Sequence, residues 1–106
     1  MAQQSKPVQI TTVRSATERR PEQQETTRLT SRKTIVIGRS ADCEVRLKDP
    51  KASRKHCRLT REESGFVLED LGSKNGTFVD GKRISEPVSL QLNQTFKVGD
   101  TVLYLG

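Results

Sequence analysis

Arg39, Ser53 and Asn75 sit in three separate short stretches of the chain, and each brings a different way of holding an anion. Arg39 follows Gly38 and offers a guanidinium. Ser53, followed by Arg54 and Lys55, offers a hydroxyl. Ser73-Lys74-Asn75-Gly76 offers an amide among small residues. A guanidinium, a hydroxyl and an amide beside backbone N–H groups are the inventory for holding a tetrahedral anion at a loop surface. Asn also has a donor and an acceptor suited to fixing a peptide backbone. The same residue types make ordinary turns, and at this level both readings stand.

Other chemistries are readily argued down. The single histidine, His56, precedes Cys57, but adjacent strand residues point to opposite faces. They therefore cannot pair as nucleophile and base, and a structural place for His56, outward or beneath the adjoining loop, is expected. Gly76-Thr77-Phe78-Val79-Asp80-Gly81-Lys82 has the spacing of a nucleotide-binding loop. It has Arg83 where a magnesium-binding Ser or Thr belongs, and its Asp-Gly marks a hairpin rather than the start of a helix. One His, two Cys and scattered acids give no metal-ligand spacing. Neither a cofactor nor catalysis is expected. Cys43 and Cys57 form no disulfide framework; they read as small reduced residues in or near the core.

These polar stretches need a rigid frame, and the rest of the chain reads as short strands. Residues 8–13, 26–29, 34–37, 44–47, 56–61, 66–69, 78–79, 88–90, 95–98 and 102–105 have strand character. Several alternate apolar and polar residues as half-buried strands do. The stretch from Arg14 to Glu25 reads as a long exposed loop. Residues 62–65 make a turn, Asp80-Gly81 a tight hairpin, and Gly99-Asp100 another tight turn. Strands recurring at this spacing, with no competing helical window, predict an all-β sandwich. In that frame Asp70-Leu71-Gly72-Ser73-Lys74-Asn75-Gly76-Thr77 is a shaped loop, turned at Asn75-Gly76.

At 106 residues, one domain is expected. Only 4% of the chain is aromatic, so the core must rest on Val, Ile and Leu. No run approaches the roughly 18 apolar residues needed to span a bilayer, and residues 1–7 lack a signal peptide's apolar stretch. A cytoplasmic protein is expected, or a nuclear one in a eukaryote. The net charge is +6, of which +4 lies in residues 1–33 (7 basic, 3 acidic). With a pI of 9.8, an anionic partner is indicated, either phosphorylated protein or nucleic acid.

The stretches Gly38-Arg39, Ser53-Arg54-Lys55-His56 and Asp70 through Thr77 resemble, in order and spacing, the motifs of forkhead-associated (FHA) domains. Asp42-Cys43-Glu44-Val45 and Val98-Gly99-Asp100 add to the resemblance. It is clearest over residues 33–106, with residues 8–29 able to supply the first two strands and residues 1–7 a flexible N-terminus. The resemblance implies an eleven-stranded sandwich of two twisted sheets, with loops at one end that bind phosphothreonine peptides. Arg39 and Ser53 would hold the phosphate, Arg54, Ser73 and Lys74 would belong to the peptide site, and Asn75 would bond the peptide main chain. Gly38, His56 and Gly76 would be architectural. Lys74 departs from the family's commoner Thr, and could add a contact to phosphate or point into solvent. Lys51 sits where the family often reads the third residue after the phosphothreonine, so charge complementarity favours Asp or Glu there.

Thr26-Thr27 resembles a threonine pair that some bacterial members have phosphorylated and bind intramolecularly; two strand threonines are the plainer explanation. The expected partner is a phosphothreonine protein, such as a Ser/Thr kinase or its substrate, met by a monomer. The rival readings are a basic nucleic-acid-binding β domain, for which four aromatics offer little stacking platform, and a scaffold binding partners independently of phosphate.

Overall fold

The computed structural model describes residues 8–14, 24–29 and 33–106. Eleven strands lie within them: β1 (Val8–Arg14), β2 (Gln24–Leu29), β3 (Thr34–Gly38), β4 (Val45–Arg46), β5 (Cys57–Glu62), β6 (Gly65–Asp70), β7 (Thr77–Val79), β8 (Lys82–Arg83), β9 (Val88–Leu90), β10 (Thr95–Val98) and β11 (Thr101–Leu105). They form a six-stranded sheet in the order β2-β1-β11-β10-β7-β8 and a five-stranded sheet in the order β4-β3-β5-β6-β9. The two sheets make the predicted all-β sandwich. Parallel pairing occurs between β3 and β4, where Ile37 faces Val45 and Gly38 faces Arg46.

Alternation along the strands decides which side chains fill the space between the sheets. Ile35 and Ile37, Cys57 and Leu59, Phe66 and Leu68 point inward from one sheet. Ile10, Phe96, Val98, Leu103 and Leu105 meet them from the other. The core is thus mostly aliphatic, and each such side chain fully buried is worth roughly 1.5–3 kcal/mol. On the outer face of β11, Val102 is half-buried and Tyr104 exposed.

Strand ends shift by a residue at several places from the sequence reading, as at Arg14, His56, Glu62 and Gly65, and two boundaries depart for a visible reason. β2 begins at Gln24, so Gln24 and Glu25 are strand and not loop, paired with Val13 and Thr12 of β1. β4 contracts to two residues. Glu44 does not join it because its carboxylate turns back to accept the Val36 N–H at 2.8 Å, which answers a donor of β3 that has no strand beside it there. Residues 1–7 and 15–23, expected as a flexible terminus and an exposed loop, lie outside the described residues.

The Asp80-Gly81 hairpin forms as expected, both residues having positive φ (55° and 80°), the geometry that twists with its strands. The loop after β6 differs in kind, since β6 belongs to one sheet and β7 to the other. It therefore crosses the end of the sandwich. The β3–β4 and β4–β5 connections meet it at that same end. At the opposite end, Gln9 and Gly106 exchange two backbone hydrogen bonds of 2.9 Å each.

Candidate functional site

β3 delivers Arg39 to the loop end, and Gly38 is what allows the neighbouring loop to lie against it. A Cβ on Gly38 would stand 2.1 Å from the Arg54 carbonyl oxygen and 2.9 Å from that of Ser53. The bare backbone instead permits two tight hydrogen bonds, Arg39 N–H to Ser53 O (3.0 Å) and Ser40 N–H to Arg54 O (3.1 Å). The exposed Arg39 side chain is aimed by its Nε, which donates to the Ala52 carbonyl at 2.9 Å. Among the described residues its two terminal nitrogens have no hydrogen-bond partner.

His56 fastens the second loop to the third. It is fully buried, and its Nδ1 accepts the Ser53 N–H at 3.0 Å. The ring proton therefore lies on Nε2, which donates to the Gly76 carbonyl at 2.8 Å. One side chain thus sets the positions of Ser53 and Gly76. Gly76 has φ 92°, a left-handed conformation that favours glycine. Ser53 Oγ accepts the Lys74 N–H at 3.0 Å, so the hydroxyl proton is free to point at a ligand. Asn75 lies over the second loop, with Nδ2 donating to the Lys51 carbonyl at 2.8 Å. Among the described residues its Oδ1 and second amide proton have no partner.

Two carboxylates that carry no role in the sequence reading shape these loops. Asp49, fully buried, accepts from the Lys51 N–H (2.9 Å), the Asp100 N–H (2.7 Å) and the Thr101 hydroxyl (2.7 Å). It ties the Ser53 loop to the start of β11. Asp70 accepts from the N–H groups of Gly72 and Ser73 and from the hydroxyls of Ser73 and Thr77, all within 3.0 Å. Burial alone would push the Asp70 carboxyl up, but the bonds from Ser73, Thr77 and Gly72 together outweigh it and hold it below its ordinary value. The signal available in sequence was local: an Asp whose carboxylate bonds the N–H two residues on, as both do here, is a turn former.

Ser73 stands apart from the rest of the expected set. Its side chain is only 8% exposed; its hydroxyl donates to Asp70 and accepts the Gly76 N–H at 2.9 Å. Both bonds lie within the loop and brace it from inside. Arg39, Arg54, Lys74 and Asn75 are exposed around one another, and Ser53 is half-buried among them. Lys51 stands on the flank, its Nζ 3.4 Å from the Asp100 carboxylate, so its charge is already shared. Thr26 and Thr27 lie in β2, paired with Thr11 and Ile10, and the Thr26 and Thr11 hydroxyls bond each other at 3.1 Å.

Both cysteines are buried and unbridged. Burial pushes the Cys57 thiol far up and also raises that of Cys43, whose Sγ donates to the Arg54 carbonyl. Among the described residues no three His, Cys, Asp or Glu side chains gather as a metal-ligand set.

The model of the FHA domain matches residues 35–99. FHA domain-containing protein FhaB of Mycolicibacterium smegmatis is 37% identical over 71 residues, covering 67% of this chain and 46% of the relative. The chain spans about half the length of the curated relatives it matches. The FHA domain of CT664 protein from Chlamydia trachomatis superimposes with a TM-score of 0.78 at 27% identity, covering 94% of this chain and 96% of the other. Mycobacterium tuberculosis EmbR in complex with a low-affinity phosphopeptide gives a TM-score of 0.79 at 22% identity, covering 96% and 24%.

Proposed function

The chain belongs to the FHA-domain family, and from that premise we propose that it is a non-catalytic module reading phosphothreonine peptides in Ser/Thr-kinase signalling, in the cytoplasm. The observation that carries this reading is the convergence of three spare donors. Arg39 keeps both terminal nitrogens after its Nε is anchored on Ala52. Ser53 keeps its hydroxyl proton because Oγ accepts from Lys74. Asn75 keeps an acceptor and a donor after anchoring on Lys51. Arg39 and Ser53 would clamp the phosphate with charge-assisted bonds, and Asn75 would take the main chain beside it. Arg54 and Lys74 would flank the phosphopeptide, while Gly38, His56, Ser73 and Gly76 hold the loops in place.

Lys51 would favour an acidic residue three positions after the phosphothreonine, weakened by the competing carboxylate of Asp100. Intramolecular capture of Thr26 or Thr27 is not favoured, because it would require β2 to leave its ladder with β1. A nucleic-acid reading gains little support from the aromatic residues: Phe66 and Phe96 are buried and Phe78 is half-buried, which leaves the exposed Tyr104 as a single stacking platform.

Calorimetric titration of a phosphothreonine peptide against wild type, Arg39→Ala and Ser53→Ala tests the proposal. A charge-assisted hydrogen bond is worth roughly 1.5–3 kcal/mol, so each variant should bind about ten- to a hundredfold more weakly with unchanged unfolding. Peptides with Asp or Ala three residues on report on Lys51. Equal affinity for the phosphorylated and unphosphorylated peptide would overturn the reading.

A further inference from the structure

The loop end carries more positive charge than one phosphate uses, and part of it is placed in an orderly way. Arg46 lies on β4, the outer edge of the five-stranded sheet, opposite Gly38 in register. Its Nε donates to the Arg39 carbonyl at 3.3 Å, which holds a second exposed guanidinium against the backbone of the first arginine. The neighbouring acids do not answer it. Glu44 is turned inward onto the Val36 N–H, and Asp42 is bonded by the Ser40 hydroxyl with Lys55 as its nearby cation. Among the described residues, Arg39, Arg46, Arg54 and Lys74 form no ion pair. Basic groups gathered at one end of the sandwich without a counter-charge repel one another, and an incoming anion relieves that repulsion.

We propose that Arg46 is a second anion subsite, and that the preferred ligand is a phosphothreonine peptide with another anionic side chain N-terminal to the phosphothreonine. This rests on the phosphothreonine reading above, which places the C-terminal side of the peptide toward Lys51. The direction follows from the topology. Lys74 and Asn75 emerge from β6, which lies beyond β5 on one side of β3, whereas β4 lies on the other. A ligand pinned at Arg39 and Asn75 therefore extends its opposite arm past Arg46. Extended chain advances about 3.3 Å per residue and adjacent strands lie about 4.8 Å apart. The second anion thus belongs one to three residues before the phosphothreonine. Both a carboxylate and a second phosphate have the required chemistry.

The test measures binding at fixed ionic strength to four phosphothreonine peptides: one with no other acid, one with Glu at the three preceding positions, one with phosphoserine two residues before, and one with Glu at the two following positions. Each is titrated into wild type and Arg46→Gln, with thermal unfolding as the check on folding. The quantity read is the gain in affinity over the peptide without extra acid, taken within each protein. The expected gain is about tenfold for a preceding anion in wild type, falling below twofold in Arg46→Gln. Glutamate sufficing would identify a carboxylate as the second group, and a gain with phosphoserine alone a second phosphate. The same gain in both proteins, or an equal gain from following acids, would overturn the assignment to Arg46. Failure of wild type to bind any of the phosphopeptides would instead overturn the reading on which it rests.

Discussion

Asp70 faces no ligand, yet four hydrogen bonds converge on its carboxylate and give the Ser73–Asn75 turn its shape. Replacing it with Asn keeps the volume and removes the charge and one acceptor, leaving donors of the turn partly unanswered at roughly 1–3 kcal/mol each when buried. Asp70→Asn should therefore lower stability to urea at pH 7 and weaken phosphopeptide binding. The pH dependence has a definite sign. The native carboxyl titrates below its ordinary value of 3.8, so its contribution is complete above that value and is lost as pH falls through the native one. The gap between wild type and Asp70→Asn should consequently narrow toward pH 3, and a constant gap across that range would contradict the account. Residue types revealed the outward set, because Arg, Ser and Asn in turns are informative by themselves. Whether a given Ser faces out or in is settled by its partners, so the inward bonds of Ser73 and the bracing by Asp49 were not legible in the sequence.

At the scale of elements, the contact between β3 and the Ser53 loop is a backbone-on-backbone contact with no room for a side chain. Gly38→Ala would put a methyl 2.1 Å from the Arg54 carbonyl, and forcing such a shift costs typically 1–3 kcal/mol. Because the displaced segment holds Ser53, affinity should fall together with the urea midpoint. An unchanged phosphopeptide affinity in a folded Gly38→Ala protein would show that Arg39 and Ser53 need no such registration. Most strands were legible because alternation is local: Cys57 and Leu59 inward, Phe96 and Val98 inward, with turns at Asp80-Gly81 and Gly99-Asp100. β4 was legible as apolar alternation but not in extent, because Glu44 leaves the strand for a bond to Val36, eight residues away in the chain. The early start of β2 was hidden because Gln24 and Glu25 have no strand propensity and are recruited by pairing with β1.

For the whole molecule, the fold buries both thiols, Cys57 in the core between the sheets and Cys43 in the connection from β3 to β4. Burial raises both and leaves little thiolate for reaction. Folded protein should react with iodoacetamide slowly at Cys43 and not measurably at Cys57, whereas denatured protein should be labelled at both; mass spectrometry after timed quenching distinguishes the two. Rapid labelling of Cys57 without denaturant would mean that the sheets part readily. The polarity of the sandwich has a further consequence. Gln9 and Gly106 are bonded to each other at the end of β1 and β11 remote from Asp100. Along β11 this is about five residues of strand from the Thr101 that Asp49 grips, or roughly 17 Å. A tether attached at either position must span that distance before its cargo can reach Arg39, and a tether too short to do so contributes no effective concentration at the site. Coupling the protein to a surface through Gly106 therefore presents the recognition loops to solution, and a short fusion at that position favours capture between molecules over capture within one.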